Sequence, residues 1–168
     1  MRVIQSCTLL LLGVLGCREP DKTPPVYYTN DSYGINNLVL KDSNGKPLDM
    51  GKYKGKTVFI NLWATWCKPC VEEMPSIQKA QNILSSAPVI FLLASGETAA
   101  ETHDFRISHP YKFVYTHIEN MEELNVQALP TTLIFNPQGK LVFSEMGTRN
   151  WDDSNNIRMI LKITKQHD

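Results

Sequence analysis

The sequence predicts an α/β fold, with a mixed β-sheet flanked by helices on both faces. Two segments, 57–63 and 89–93, are rich in β-branched and aromatic residues and apolar on both faces, as buried central strands are. A stretch with helical spacing lies between them, which indicates a strand–helix–strand unit. Near the C-terminus, strand patterns at 132–135 and 141–144 flank the turn sequence 136–140 and predict an antiparallel hairpin.

Size and charge are those of one globular domain with a short extra segment. The chain has 168 residues, of which 42% are hydrophobic, enough for one sizeable core. The 17 lysine and arginine residues balance the 17 aspartate and glutamate residues. The overall charge therefore gives no indication of binding to nucleic acid, to an anionic membrane surface or to an acidic substrate.

Residues 1–17 have the pattern of an export signal. Arg2 precedes an apolar run that is much shorter than the roughly 20 residues of a membrane-spanning helix. The run ends in Leu15-Gly16-Cys17, which resembles the bacterial lipobox and makes Cys17 the predicted lipidation site. An ordinary secretory signal cleaved elsewhere is the alternative. Under the first interpretation the protein is lipid-anchored to a bacterial membrane, with its domain in the periplasm or on the outer cell face.

The segment 18–34 is predicted to be a flexible tether, because it combines charged residues with Pro20, Pro24 and Pro25. The folded domain is expected to span 35–168. It opens with a hairpin pattern that turns at Asn44-Gly45.

A helix is predicted to begin directly after the strand at 57–63, with apolar and long side chains at turn spacing and a kink at Pro75. The strand at 89–93 is followed by a predicted helix at 98–107, a strand at 113–115 and a short helix at 119–124. The C-terminal hairpin then leads into a closing helix. Four residues of the closing helix are expected on one face: Ile157, Ile160, Leu161 and Thr164.

The cysteines carry the strongest chemical signal. Cys7 lies in the predicted signal and Cys17 is the predicted lipid site, which leaves only Cys67 and Cys70 as free thiols. Two cysteines so close in sequence close too small a loop to stabilise the fold, so a reactive dithiol is favoured. The competing interpretation, half of a zinc site, lacks a second pair of ligands at suitable spacing.

The position of the dithiol at a strand-to-helix junction predicts its reactivity. Backbone N–H groups at a helix N-terminus stabilise a thiolate, which makes Cys67 the expected nucleophile. Cys70, after two intervening residues, is placed to resolve a mixed disulfide. Lys68 either favours the thiolate further or is simply solvated.

The segment from Lys56 to Cys70, in which a buried strand runs directly into Trp-Cys-Lys-Pro-Cys, resembles the thioredoxin superfamily, specifically the ResA/TlpA-type anchored oxidoreductases. Pro75 matches the proline that kinks the active-site helix of that family. Residues 129–132 match its cis-proline loop, and 136–140 match its final hairpin. The resemblance implies a thioredoxin-like fold with an N-terminal hairpin and a central insertion.

The resemblance also implies roles for further residues. Pro130 is expected to be cis and to lie beside the dithiol, with Leu129 offering backbone groups to an extended substrate, although a trans turn proline is the commoner local state. Trp66 is expected to shield Cys67 and to contact substrate. Glu73 is a candidate proton carrier, since a ResA-like protein has an acid near the dithiol. The alternative for Glu73 is an exposed first-turn carboxylate, which Glu72 is expected to be.

Asn61 stands where cytoplasmic thioredoxin has a buried acid, and asparagine cannot accept a proton. The leading hypothesis is an exported enzyme that reduces protein disulfides through Cys67 and Cys70 and is recycled by a membrane electron donor, without a cofactor. The resemblance implies cytochrome c maturation as the setting and an apocytochrome c disulfide as the substrate. The alternatives are an oxidant that forms disulfides, and a non-catalytic module that binds a partner or a metal.

Overall fold

The computed structural model describes residues 34–166. The predicted signal, with Cys17, and nearly all of the predicted tether lie outside the described residues. Within this described part of the chain, six strands form one sheet: β1 Leu40–Lys41, β2 Thr57–Trp63, β3 Val89–Ser95, β4 Val114–Ile118, β5 Thr131–Phe135 and β6 Leu141–Met146. Three α-helices accompany it: α1 Lys68–Ile83, α2 His103–Ser108 and α3 Ser154–Ile163. Three short 3-10 helices complete the set: Ile35–Asn37, Met50–Tyr53 and Met121–Leu124.

The sheet is mixed, as predicted, and its strand order is β1-β4-β3-β2-β5-β6. Strands β2, β3 and β4 are parallel, whereas β5 is antiparallel to β2, β6 to β5 and β1 to β4. Every residue of β2 is buried, as expected of a strand with neighbours on both sides and cover on both faces. The turn that follows β2 therefore starts from the centre of the sheet.

Two apolar clusters cover the two faces of the sheet. On one face, α1, α2 and α3 pack over alternate strand residues, where Phe59 lies 4.8 Å from Phe91 and 4.7 Å from the Trp151 ring. On the other face, the three 3-10 helices contribute Ile35, Met50, Tyr53, Met121 and Leu124. The predicted α/β fold class is confirmed, with the second face covered by short 3-10 helices.

The predicted N-terminal hairpin is much shorter than the sequence pattern indicates. Its turn is present, with Gly45 in a left-handed conformation, but the second strand is reduced to a single bridge between Lys41 and Pro47. Proline has no N–H to donate to a ladder of hydrogen bonds, and beyond Pro47 the Leu48 N–H donates to the Leu40 carbonyl at 2.8 Å without forming a regular strand. Strand β1 instead pairs with β4 through Leu40 and Ile118.

The predicted helix at 98–107 begins only at His103. Thr98 N–H donates to the Glu101 side chain, and Glu101 N–H donates to the Thr98 hydroxyl. This reciprocal pair is a helix-capping box, and the Thr102 N–H donates to the Thr98 carbonyl at 3.1 Å, so residues 98–102 form a single helical turn ahead of α2. The strand predicted at 113–115 runs from Val114 to Ile118, and the helix predicted at 119–124 is the 3-10 turn Met121–Leu124.

The closing helix α3 is confirmed, but its buried face is rotated from the predicted one. Asn156, Ile160 and Ile163 are buried, while Ile157 and Leu161 are half-buried. The rotation has a polar cause, since the Asn156 side-chain amide donates to the Asn150 carbonyl at 2.7 Å. Within residues 34–166, no helix combines the length and the apolar character needed to cross a bilayer.

Candidate active site

The dithiol lies where the central strand passes into α1. Cys67 is the N-cap residue of α1, and its Sγ accepts a hydrogen bond from the backbone N–H of Cys70 at 3.3 Å. Cys67 and Cys70 are joined by a disulfide. Cys70 is fully buried, whereas Cys67 keeps 5% of its surface exposed. When the pair is reduced, Cys67 is therefore both the more accessible thiol and the one facing the helix N–H groups.

The residues around the dithiol differ in exposure. Trp66 is 75% exposed, so its indole offers an apolar surface next to Cys67. Lys68 extends into solvent and lies 3.7 Å from Glu72 in an exposed pair, which favours the solvated interpretation of its charge. Pro69 lies in the first turn of α1, where a backbone N–H has no helical partner, and Pro75 lies inside the helix.

The cis-proline loop reaches the same end of the sheet from β5. The Leu129–Pro130 peptide bond is cis, as predicted, and Pro130 is buried. Thr131 pairs with Leu62 of β2, so the loop lies beside the end of β2 that leads to Cys67. Leu129 packs against the apolar cluster that contains both cysteines. The predicted neighbours Cys67, Cys70 and Pro130 are thus brought to one place.

Glu73 is buried under this site, with 4% of its surface exposed. Its Oε1 accepts hydrogen bonds from the Arg149 backbone N–H at 2.8 Å and the Trp151 indole N–H at 2.6 Å. Its Oε2 accepts one from the Asn61 amide at 3.1 Å. Glu73 is therefore not an exposed first-turn carboxylate, whereas Glu72 is exposed. Glu73 lies three positions after Cys70, so both lie on one face of α1.

Burial raises the pKa of the Glu73 carboxyl above its usual value, because the charged form loses its contact with water. The hydrogen bonds from Arg149, Trp151 and Asn61 stabilise the carboxylate and lower the pKa, and the nearby Glu145 charge raises it. The net direction is upward. A carboxyl of this kind is suited to hold or release a proton closer to neutral pH.

Asn61 links Glu73 to the sheet. Its Nδ2 donates to Glu73 and, at 3.0 Å, to the Thr132 hydroxyl, while its Oδ1 is buried without a partner. Rotation of the Asn61 side-chain amide by half a turn would exchange Nδ2 and Oδ1. A hydrogen-bond acceptor would then face Glu73 in place of a donor. Asn61 can therefore donate to a charged Glu73 or accept from a protonated one.

The sequence interpretation missed the hydrogen-bond partners that Glu73 finds in the loop before α3. Arg149 and Trp151 lie in the loop before α3, 76 and 78 residues from Glu73 along the chain. No local pattern links a tryptophan in such a loop to a helix so far away. Within residues 34–166, no group of three or more histidine, cysteine or acidic side chains has an arrangement that could hold a metal ion.

Fold and site together define a thioredoxin-fold protein with a Cys-x-x-Cys disulfide beside a cis-proline. A family model described as Redoxin matches residues 21–161. The thiol-disulfide oxidoreductase ResA of Bacillus subtilis (strain 168) is 37% identical over 116 residues, which are 67% of this chain and 65% of that protein. ResA of Geobacillus thermodenitrificans (strain NG80-2) is 32% identical over 120 residues, 69% of each chain.

Among solved structures, a protein described as thiol:disulfide interchange protein DsbE from Chlorobium tepidum superposes with a TM-score of 0.66 at 19% identity, covering 75% of this chain and 92% of that one. This likeness shows the fold alone. The chain spans just under two thirds of the length of its Bacillus subtilis relative. The chain belongs to the Redoxin family, and the two relatives named above are thiol-disulfide oxidoreductases ResA.

The raised pKa of Glu73 gives a prediction about stability. Between the usual carboxyl pKa of 4.5 and the raised folded value, the folded protein holds a proton that the unfolded chain has released. Stability contributed by this group is therefore lost as pH rises through that window. We expect the free energy of unfolding of the native protein, relative to a Glu73→Gln variant, to fall as pH rises above about 4.5.

Urea denaturation at a series of pH values measures this difference. Glu72→Gln is the matched control, because it removes an exposed carboxylate from the same helical turn. The raised pKa of Glu73 would be contradicted if the free energy of unfolding kept the same pH dependence in Glu73→Gln. It would also be contradicted if Glu72→Gln removed that dependence equally.

Proposed function

We propose that this protein is an exported, lipid-anchored thiol–disulfide oxidoreductase that reduces disulfides in protein substrates. The observation that carries the proposal is the Cys67–Cys70 pair at the N-terminus of α1, beside cis-Pro130. The ResA relatives support the reaction class. We further propose cytochrome c maturation as the setting, with an apocytochrome c disulfide as the substrate, on the ResA/TlpA resemblance.

The reaction needs only the two cysteines and a proton carrier. The Cys67 thiolate attacks one sulfur of a substrate disulfide, forming a mixed disulfide while the other substrate sulfur leaves as a thiolate. The Cys70 thiolate then attacks the Cys67 sulfur and releases the second substrate thiolate. Two electrons have passed to the substrate, and the Cys67–Cys70 disulfide remains for a membrane electron donor to reduce.

Glu73 is proposed as the proton carrier for Cys70. The Cys70 thiol is fully buried, so water has little access to its proton, and Glu73 is the acid one helical turn away. The upward direction of the Glu73 pKa supports proton exchange closer to neutral pH. The Asn61 amide supports the same role, because it can partner both protonation states.

Substrate contact is proposed for the exposed face of Trp66 and for the backbone of Leu129 beside Pro130. An extended segment lying along the cis-proline loop would place its cysteine against Cys67. Trp66 adds a large aromatic surface that is already exposed to solvent, with 75% of its area accessible.

The different roles proposed for Cys67 and Cys70 can be tested separately. In a Cys70→Ser variant, the mixed disulfide has no resolving thiol, so covalent complexes with client proteins should accumulate through Cys67. Non-reducing gels of cells producing the variant, followed by mass spectrometry, measure them. Cys67→Ser is the matched control and should trap none. Absence of any complex from Cys70→Ser, with Cys67 inert to a thiol reagent, would overturn the reaction class.

The direction of electron flow has its own test. A reductant of this type should have a reduction potential nearer to the roughly −270 mV of thioredoxin than to the roughly −120 mV of a strong oxidant. Equilibration of the protein with glutathione or dithiothreitol buffers measures it. A potential near that of strong oxidants would make the protein a disulfide-forming enzyme instead.

The proposed anchor predicts that the protein carries lipid on Cys17. Cells fed a labelled fatty acid should incorporate the label into the native protein and not into a Cys17→Ser variant, and the variant should leave the membrane fraction. Cys7→Ser is the matched control, since it alters a cysteine within the predicted signal. Equal labelling of native protein and Cys17→Ser would refute the anchor.

A further inference from the structure

The turn between β2 and α1 has few bonds of its own. Within residues 64–67, the Cys67 N–H donates to the Ala64 carbonyl at 3.1 Å. Thr65, in the middle of this turn, bonds to a distant residue instead. Its backbone N–H donates to Glu97 Oε2 at 2.7 Å and its hydroxyl donates to Glu97 Oε1 at 2.5 Å. The Glu97 carboxylate thus holds the turn through two hydrogen bonds, both donated by Thr65. Thr65 lies two positions before Cys67.

Glu97 is itself held in place by the neighbouring strands. It follows β3, whose last residue, Ser95, lies opposite Trp63 at the end of β2. The Ser95 hydroxyl lies 3.1 Å from Glu97 Oε2 and 3.1 Å from the Glu97 backbone N–H, and His117 Nδ1 of β4 lies 3.0 Å from the Glu97 carbonyl. Glu97 therefore ties the turn to β3 through its carboxylate and backbone N–H, and to β4 through its backbone carbonyl.

We infer that Glu97 is a positioning residue for Cys67. Stabilisation of the Cys67 thiolate depends on the distance and angle between Sγ and the first N–H groups of α1. The turn, which is held by Glu97, determines the position of the Cys67 Sγ. Loss of the two bonds to Thr65 would leave the turn tied mainly by its own backbone bond and would weaken the contact between Sγ and the helix. This role serves the thiol chemistry proposed above and is independent of the direction of electron flow.

The charge of Glu97 acts in the opposite sense to its hydrogen bonds. A negative charge near Cys67 disfavours the thiolate, whereas holding the turn in place favours it. Two variants separate these effects. Glu97→Gln removes the charge but keeps the shape, because its oxygen can accept from Thr65 N–H and its amide can donate to the Thr65 hydroxyl. Glu97→Ala removes both the charge and the bonds.

The test compares the pH profile of Cys67 alkylation by iodoacetamide in the reduced full-length protein, followed on the Cys67 peptide by mass spectrometry. We expect the Cys67 pKa to be higher in Glu97→Ala than in Glu97→Gln, with alkylation at pH 7 slower by about threefold or more. Thr65→Val should slow alkylation less than Glu97→Ala does, because the backbone N–H of residue 65 still donates to Glu97. Thr65→Ser keeps the hydroxyl and should therefore be alkylated at the rate of the native protein.

Glu101→Ala is the matched control, since it removes an exposed carboxylate from the same loop without touching the turn, and it should leave the profile unchanged. In the double variant Glu97→Ala/Thr65→Val, the two losses should not add, because both remove the same bond. Equal profiles for Glu97→Ala and Glu97→Gln would overturn the inference, as would additive losses. Alkylation needs no substrate, so a failed trapping experiment would leave this result unaffected.

Discussion

The pairing of β2 in the middle of the sheet determines where every chemical group of this protein stands. Its seven residues are buried, and its side chains alternate between two clusters, with Phe59 in one and Ile60 in the other. A slip of one residue would exchange the two sets, so the register is strongly fixed. The end of β2, and with it the turn that carries Cys67, cannot shift without disrupting both faces of the core.

Around that fixed point, three neighbouring parts of the chain contribute to the dithiol site. The loop before β5 brings cis-Pro130, because Thr131 pairs with Leu62. The loop after β3 brings Glu97, which holds Thr65. Helix α1 supplies both its N-terminal N–H groups and Glu73. The cysteines therefore lie between elements from both sides of β2, and their chemistry depends on the pairing of β2 with both neighbours.

Three hydrogen-bond donors hold the carboxyl group of Glu73 where it lies buried against the apolar core. Leaving such a charge unpaired would cost several kcal/mol, and three donors offset that cost. Trp151 contributes both to this hydrogen bonding and to the apolar core. Its indole N–H donates to Glu73, while its ring packs edge-on against Phe59 at 4.7 Å. Asn61 ties the same carboxylate to Thr132 of β5. The Glu73 side chain is thus tied to the sheet through Asn61.

The sequence by itself determined the central strands, the hairpin β5–β6, the dithiol at a helix start and, through the resemblance, the cis state of Pro130. These features are local, since periodicity, turn residues and the Cys-x-x-Cys spacing are all read within about 15 residues. Tertiary structure alone decided the rest. It reduced the second strand of the first hairpin to a single bridge at Pro47, rotated α3 through the Asn156 bond, and brought Trp151, Arg149 and Glu97 to residues 78, 76 and 32 positions away. Such partners are chosen by strand pairing and helix packing, and no local pattern in the sequence specifies them.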